Sequence, residues 1–434
     1  MKPQVPQATL IASLLLLALI APLFAAPNHF VSVRNGRLYL DGRAYYFVGT
    51  NYWYGSLLPL EKDRKRGIER LRKELDFLKG NGVTNLRLMA GAEGSGPMNG
   101  VKRVGPPLQP EQGKFDDHVL GGLDVLLNEM SKRGMKAVIF LSNNWEWSGG
   151  FQQYLIWSGQ LSATWLTKKP DWDQLRDNVA KFYSCEPCMT AYEAQVKYVI
   201  GHKNHVNSRP YIDDPTIMAW ELVNEPRPMR PAANEAYLTW ISRSGALIKS
   251  LDRNHLVTTG HEGWIGTQDI SLFEKAHADR NIDYLTIHIW PKNWDWFKDG
   301  HLAEGFGNAE AETRKYIADN ATVARKSDKP LVIEEFGLPR DGQSVSPSAG
   351  TSLRDRYYGL ILGTIASNGQ QQISGANFWS FGGTARPVPG HPFWKTGDAL
   401  MGDPPMEEQG LNSVFDTDAS TWKVIRQAAE RLSR

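Results

Sequence analysis

A single (β/α)8 barrel is the fold the sequence predicts, and three observations predict it. Eight short apolar runs alternate with helix-length amphipathic segments between Tyr45 and Leu432, the order that builds a parallel sheet with crossover helices. The fourth run, Thr216–Val223, is almost continuously apolar, as suits a strand buried on both faces. It stops at a polar pair, Asn224-Glu225, followed by Pro226, whose missing N–H cannot extend a ladder. The seventh run, Leu331–Glu335, also closes on acid residues. Carboxylates at the C-terminal ends of parallel strands sit where such barrels carry out chemistry.

The chain begins with Lys2, an apolar stretch at Leu10–Phe24 and the small residues Ala25-Ala26. This is the pattern of an export leader, and the run is too short and Pro-interrupted for a membrane span of about 20 residues. Residues 1–26 are therefore expected to be removed, leaving 27–434 as one domain in a secreted or periplasmic protein. Phe30–Val33 and Arg37–Leu40 flank Asn35-Gly36, a strong hairpin signal. The barrel strands are expected near Tyr45–Gly49, Thr84–Leu88, Ala137–Leu141, Ile217–Val223, Leu256–Thr259, Tyr284–Ile289, Leu331–Glu335 and Ala376–Ser380. Helical periodicity falls near Gly67–Gly80, Asp116–Arg133, Ala191–His202, Asn234–Leu251, Ala309–Lys326, Leu353–Asn368 and Thr421–Leu432. Ala90–Gly113 and Asn144–Pro170 read as loops after the second and third strands, on the face that bears the site.

Charged residues are 22% of the 434 and the net charge is only +2, so no strong field favours nucleic acid or anionic lipid. Fifteen Trp, many beside Gly, Asn or Asp, suggest a wet aromatic cleft, since indoles stack on the apolar C–H faces of sugar rings. Cys185 and Cys188 are the only cysteines, and in an exported protein they are expected to pair. His202 and His205 lie close together, but no Cys, His or carboxylate next to them in sequence completes a metal set. No metal and no cofactor are therefore expected. Asn320-Ala321-Thr322 is a glycosylation sequon.

The Asn224-Glu225-Pro226 strand end, followed about a hundred residues later by Glu335-Phe336-Gly337, resembles the paired acid motifs of glycoside hydrolase family 5, a family of (β/α)8 retaining glycosidases. Gly149-Gly150-Phe151-Gln152-Gln153-Tyr154, Thr216–Arg227 and Ile287-His288-Ile289-Trp290-Pro291 resemble the endo-β-1,4-mannanases within it. The similarity spans nearly all of the chain after the leader. It implies Glu225 as acid/base and Glu335 as nucleophile, since retention needs one protonated carboxyl and one that attacks.

Each acid has a neighbour to be set aside. Glu334 precedes Glu335, and strand alternation would turn it away from the cleft. Glu221 lies inside its strand and is expected to pair with an Arg in the barrel interior. The resemblance also implies that Arg87 orients the nucleophile, that Asn224 bonds the sugar 2-hydroxyl, that His288 faces the cleft and that Trp379 is a sugar platform. Arg227 matches an aglycone-side Arg of some mannanases, with a surface ion pair as the other reading. Many relatives carry Tyr where this chain has Trp290, so a Tyr hydroxyl bond to the nucleophile is not available here. Asn143, Asn144, Trp145 and Trp147 follow the third strand as candidate substrate contacts. Trp53 either serves the glycone side or packs.

The expected substrate is β-mannan, as polysaccharide or oligosaccharide, cleaved by a monomer without nucleic-acid or membrane partners. An endo-β-1,4-glucanase on the same barrel and a non-catalytic polysaccharide-binding protein are the alternatives.

Overall fold

The computed structural model describes Met1 and residues 29–98, 101–367 and 372–433. But for Met1, the expected leader lies outside them. Eight parallel strands form the barrel: β1 (Phe47–Asn51), β2 (Val83–Met89), β3 (Lys136–Phe140), β4 (Ile217–Glu221), β5 (Leu256–Thr258), β6 (Leu285–Ile289), β7 (Leu331–Phe336) and β8 (Ile373–Phe378). Neighbours run in the order β5-β4-β3-β2-β1-β8-β7-β6. A parallel bridge between Thr258 and Tyr284 closes the ring. All eight are buried on both faces, which is why their sequences lack the in–out alternation of a half-exposed sheet.

Eight helices wrap the barrel: α1 (Arg64–Gly80), α2 (Asp117–Ser131), α3 (Glu186–Ile200), α4 (Asn234–Leu251), α5 (Ile270–Ala278), α6 (Leu302–Ser327), α7 (Ser352–Leu362) and α8 (Ala419–Leu432). Side-chain caps start several of them: Asp63 accepts the N–H of Arg66, and Asp116 that of His118. Helix α5 was not expected, because its nine residues are too short a run to stand out between the Asp residues that flank it. The stretch expected as loop at Asn144–Pro170 holds a helix at Gly150–Trp157 and a short one at Ala163–Leu166. The eighth strand starts three residues earlier than expected, and α7 stops at Leu362 rather than Asn368.

The N-terminal hairpin pairs Ser32–Arg34 with Arg37–Leu40. Asn35 and Gly36 both have positive φ, at 49° and 64°, which a tight hairpin turn of this twist requires. Val31 and Leu38 pack with Phe47, Val138, Met218, Leu256 and Val332, sealing the end at which the strands begin. Chemistry is thereby confined to the opposite mouth. Cys185 and Cys188 are joined at the start of α3. Asn320 is fully buried in α6, donating to Tyr316 O, so the sequon offers no acceptor in the folded chain. No helix among the described residues is long and apolar enough to cross a membrane.

Candidate active site

The residues just past β4 are clamped from both sides. Asn224 N–H donates to Ser142 O and Glu225 N–H to Gly260 O, each at 2.9 Å. Glu225 has φ +53°, a left-handed conformation that costs a non-glycine residue about 1–3 kcal/mol and survives only where the surroundings impose it. Here two neighbouring strand ends do so. Asn224 Nδ2 also donates to Asn143 Oδ1 at 3.0 Å, and Asn143 Nδ2 to Ser148 Oγ at 3.0 Å.

The Gly149–Tyr154 motif lies behind this clamp rather than in the cleft. Gly149 and Gly150 have φ +102° and +53°, and a Cβ on them would stand 2.0 Å from Glu93 O and 2.1 Å from Asn143 O. The Glu93 carboxyl accepts from Ser142 Oγ, Gly150 N–H and Gln195 Nε2. Burial pushes it up to about 7. The glycines thus allow a buried acid to tie the β2 and β3 loops together beneath Asn143.

The end of β7 holds a β-bulge. Ile287 pairs with Ile333 and His288 with Glu335, so Glu334 has no partner on β6. The bulge breaks the alternation expected of these residues, and both carboxyls come within reach of Arg87. Glu334 stays deep, fully buried beside Glu221, and only Glu335 lines the cleft. The separation of the two acids is as expected, but depth rather than alternation is its cause.

Arg87, at the inner end of β2 and fully buried, ties the floor together. Its guanidinium bonds Glu335, Asn51 Oδ1 at 3.1 Å and Asn224 Oδ1 at 2.7 Å. It grips Glu221 with two bonds, 2.8 and 2.5 Å. Burial alone would lower its basicity, but the surrounding carboxylates outweigh this and hold it well above its usual value. Glu334 is pushed well above the carboxylate range by burial and by the charge of Glu221, which keeps it neutral.

Glu225 and Glu335 meet around His288. The imidazole Nδ1 stands 2.6 Å from Glu225 Oε1 and 3.3 Å from Glu335 Oε2. One oxygen of each acid lies within 4.8 Å of the other. Burial, with Arg87 nearby, drives His288 well below its usual value, so the ring is neutral. Burial raises both carboxyls, and the charge of Glu225 adds to the cost of ionising Glu335. Two such close acids hold one proton between them. The donors differ. Glu335 takes a charged bond from Arg87 and the Trp290 indole N–H at 3.2 Å, whereas Glu225 takes the neutral indole N–H of Trp145. Charge therefore settles on Glu335 and the proton on Glu225. Trp290 supplies from nitrogen the bond that a Tyr hydroxyl would supply from oxygen.

The cleft above them has a volume of about 610 Å³. Trp145, Trp147, Trp172, Trp290, Trp294 and Trp379 line it. Arg227 also lines it, gripping Glu262 through two bonds and lying over the rings of Trp145 and Trp172 at 5.0 and 5.8 Å. Four expected contacts stand elsewhere: His288 is fully buried beneath the two acids and Asn143 behind Asn224, both outside the lining, and Trp53 and Asn144 join them. Trp53 is buried, donates to Gly402 O at 2.6 Å and packs edge-on against Trp147, so it supports a cleft residue from behind. Asn144 is fully buried and outside the lining, because its backbone continues the pairing to Asn224.

Glu262, Trp172, Trp294 and Glu407 line the cleft without having been expected there. Glu407 rides on the irregular loop after β8. Asp403 pins that loop by accepting from the N–H groups of Gly410, Asn412 and Ser413 and from Ser413 Oγ. Burial, then the negative charge of Asp403 and that of Glu225 whenever it ionises, push the Glu407 carboxyl up to about 8. Only its place in a Pro- and Trp-rich stretch hinted at a binding loop.

Paired acids at the ends of β4 and β7, under an aromatic cleft, define the class of protein: a glycoside hydrolase on a (β/α)8 barrel. A family model described as GH family 5 beta-mannosidase-like matches residues 28–434, and the chain belongs to that family. It is 31% identical to the glycoside hydrolase family 5 mannosidase of Rhizomucor miehei, whose crystal structure superposes with a TM-score of 0.84 over 94% of this chain and 98% of that one. It is 29% identical to mannan endo-1,4-beta-mannosidase 1 of rice over 420 residues, 93% of this chain and 88% of the relative. Mannan endo-1,4-beta-mannosidase 4 of tomato is 26% identical over 94% and 92% of the two chains.

Proposed function

We propose that this chain is a secreted, retaining endo-β-1,4-mannanase acting on mannan, glucomannan or galactomannan. The observation that carries the reading is the Glu225–Glu335 pair, with oxygens within 4.8 Å and the Arg87 guanidinium bonded to Glu335 but not to Glu225. A retaining pair stands about 5–5.5 Å apart, whereas an inverting pair leaves about 6.5–9.5 Å for a water. Glu335, the charged member, attacks the anomeric carbon while Glu225 gives its proton to the departing glycosidic oxygen. The glycosyl ester cancels the charge of Glu335, so Glu225, now ionised, takes a proton from the water that releases the sugar. Arg87 and Trp290 hold the nucleophile in line, and Asn224, fixed by Arg87 and Asn143, presents its amide to the sugar.

The mannan preference rests on the rice and tomato relatives, and secretion on the leader signals of residues 1–26. A monomer needing no cofactor is the simplest form of this enzyme, because the two acids supply both proton transfer and nucleophile. The test is product analysis on mannan and on cellulose side by side, with the anomeric configuration followed by NMR. Mixed manno-oligosaccharides of retained β configuration are expected. Equal or faster cleavage of cellulose overturns the substrate, α product overturns retention, and mannose as sole product overturns internal cleavage. Secreted protein with Met1–Ala26 intact by mass spectrometry overturns the leader.

A further inference from the structure

On the outer wall of the barrel, the start of α2 meets the turn that follows α3. His202 and His205 come from the turn, Asp117 and Asp124 from the helix. One ligand atom each from Asp117, His202 and His205 lies within 4.8 Å of the other two. His202 Nδ1 stands 3.6 Å from Asp117 Oδ1, and His205 Nε2 stands 3.4 Å from Asp117 Oδ2. These are close to the edges of a zinc tetrahedron, which bond lengths of about 2.0–2.2 Å set at roughly 3.3–3.5 Å.

The remaining ring nitrogens point the other way, and to one acceptor. His202 Nε2 is 3.0 Å from Asp124 Oδ1, and His205 Nδ1 is 3.3 Å from Asp124 Oδ2. Asp124 is fully buried and held by the Tyr211 hydroxyl at 2.7 Å and the His205 N–H at 2.9 Å. A buried carboxylate that bonds the far nitrogen of His202 and stands beside that of His205 aims the near lone pairs outward, which is the outer-shell arrangement of histidine metal sites. The turn is stiff. Asn204 caps it through the N–H groups of Val206 and Asn207 and donates to Asp124 O. Asp117 and His205 are half exposed, so the fourth position opens to water and His205 is free to rotate the last fraction of an ångström. Among the described residues, no Lys or Arg pairs with Asp117 or Asp124.

We infer that His202, His205 and Asp117 bind one zinc ion, with Asp124 as the residue that orients both imidazoles. The ion cross-links α2 to the α3–β4 connection, outside the catalytic cleft. It is a structural staple, and the hydrolase chemistry does not pass through it.

The full mature chain, stripped with chelator and dialysed, is titrated with zinc alone by calorimetry, and with cobalt as a coloured probe. One zinc per chain is expected at micromolar affinity or tighter, with a rise in Tm of about 2–4 °C under saturating zinc. Cobalt should give the intense visible bands of a four-coordinate site. His205→Gln, a change at an exposed side chain, should weaken binding at least 30-fold and abolish both the Tm shift and the bands. Its mannan hydrolysis should match that of the parent. Asp117→Asn should behave likewise, which separates ligand loss from any fold defect peculiar to one variant. Binding of equal strength in parent and variants, or no binding up to millimolar zinc, overturns the site.

Discussion

Two histidine–carboxylate clusters occupy this barrel, one in its mouth and one on its wall, and they differ in what balances their charge. In the mouth, Glu225, Glu335 and His288 stand over Arg87, whose guanidinium bonds Glu335 and Glu221. On the wall, Asp117, Asp124, His202 and His205 have each other and, among the described residues, no guanidinium or ammonium partner. A buried carboxylate without a cation is costly. The mouth meets that cost with a resident arginine, which leaves the acids to exchange protons with substrate. The wall leaves a gap of donor atoms that a divalent ion fits. Similar side chains thus serve opposite ends, and the position of one arginine separates them.

The contrast is tested most severely by deleting the proposed nucleophile. Glu335→Ala should lower kcat on the order of 10⁶-fold, the scale seen when a catalytic nucleophile is removed. Azide should restore turnover with inverted product, entering the space beside Arg87. Glu225→Ala should keep slow attack on substrates with good leaving groups, and azide should then give product of retained configuration. The opposite stereochemical pairing, read by NMR, would reverse the two roles.

Arg87 itself is next. Arg87→Lys removes the fork that holds Glu221 and Glu335 together, leaving buried charge short of partners. A loss of about 3–5 kcal/mol in stability is expected, read by urea denaturation. Asp124→Asn on the wall keeps the shape, and its far-nitrogen contacts are partly met by an amide, so about 1–2 kcal/mol is expected there. Equal losses at the two sites would deny the arginine its special part.

The mouth was legible in the sequence and the wall was not, for physical reasons. Glu225 and Glu335 end continuous apolar strands and are followed by Pro226 and by Phe336-Gly337, so strand period and break point mark them out. His202 and His205 showed as a pair, but their partners Asp117 and Asp124 arrive on a helix about eighty residues earlier, through packing that no local pattern encodes. Glu407 was hidden for a similar reason, since an irregular loop has no period to read. The Glu334 bulge was invisible because one extra residue leaves the apolar pattern of β7 unchanged. The Gly149–Tyr154 motif was visible, but its work is backbone support around Glu93 rather than sugar contact.

Glu407 extends the mouth cluster and gives it a pH signature. Its carboxyl, pushed up to about 8, is neutral below that pH and anionic above it. A neutral acid donates to sugar hydroxyls, whereas the anion adds charge near Glu225 and raises the cost of ionising that acid in the first step, when it gives its proton to the leaving oxygen. The value of kcat/KM should therefore fall as pH rises through about 8. Glu407→Gln, neutral throughout, should flatten that limb while leaving the acid limb in place, in a profile from pH 5 to 10. The wall cluster should give no such signature, and His205→Gln should leave the profile unchanged.

The smallest effect concerns a single hydrogen. Trp290 donates its indole N–H to Glu335 at 3.2 Å, and the charge on the acceptor makes such a bond worth about 1.5–3 kcal/mol. Trp290→Phe keeps an aromatic ring against Trp379, which it meets edge-on at 6.1 Å, but loses the donor. A 10- to 100-fold fall in kcat is expected, with little change in KM, because the bond positions the nucleophile rather than the resting sugar. Trp290→Tyr offers a hydroxyl from nearly the same wall and should recover part of the loss. If Phe and Tyr at this position fall equally, the indole acts through its shape alone, and charge at Glu335 is held by Arg87 without help. If Tyr recovers and Phe does not, the mouth needs a second donor beside its arginine, and the nucleophile is held by two groups of different charge.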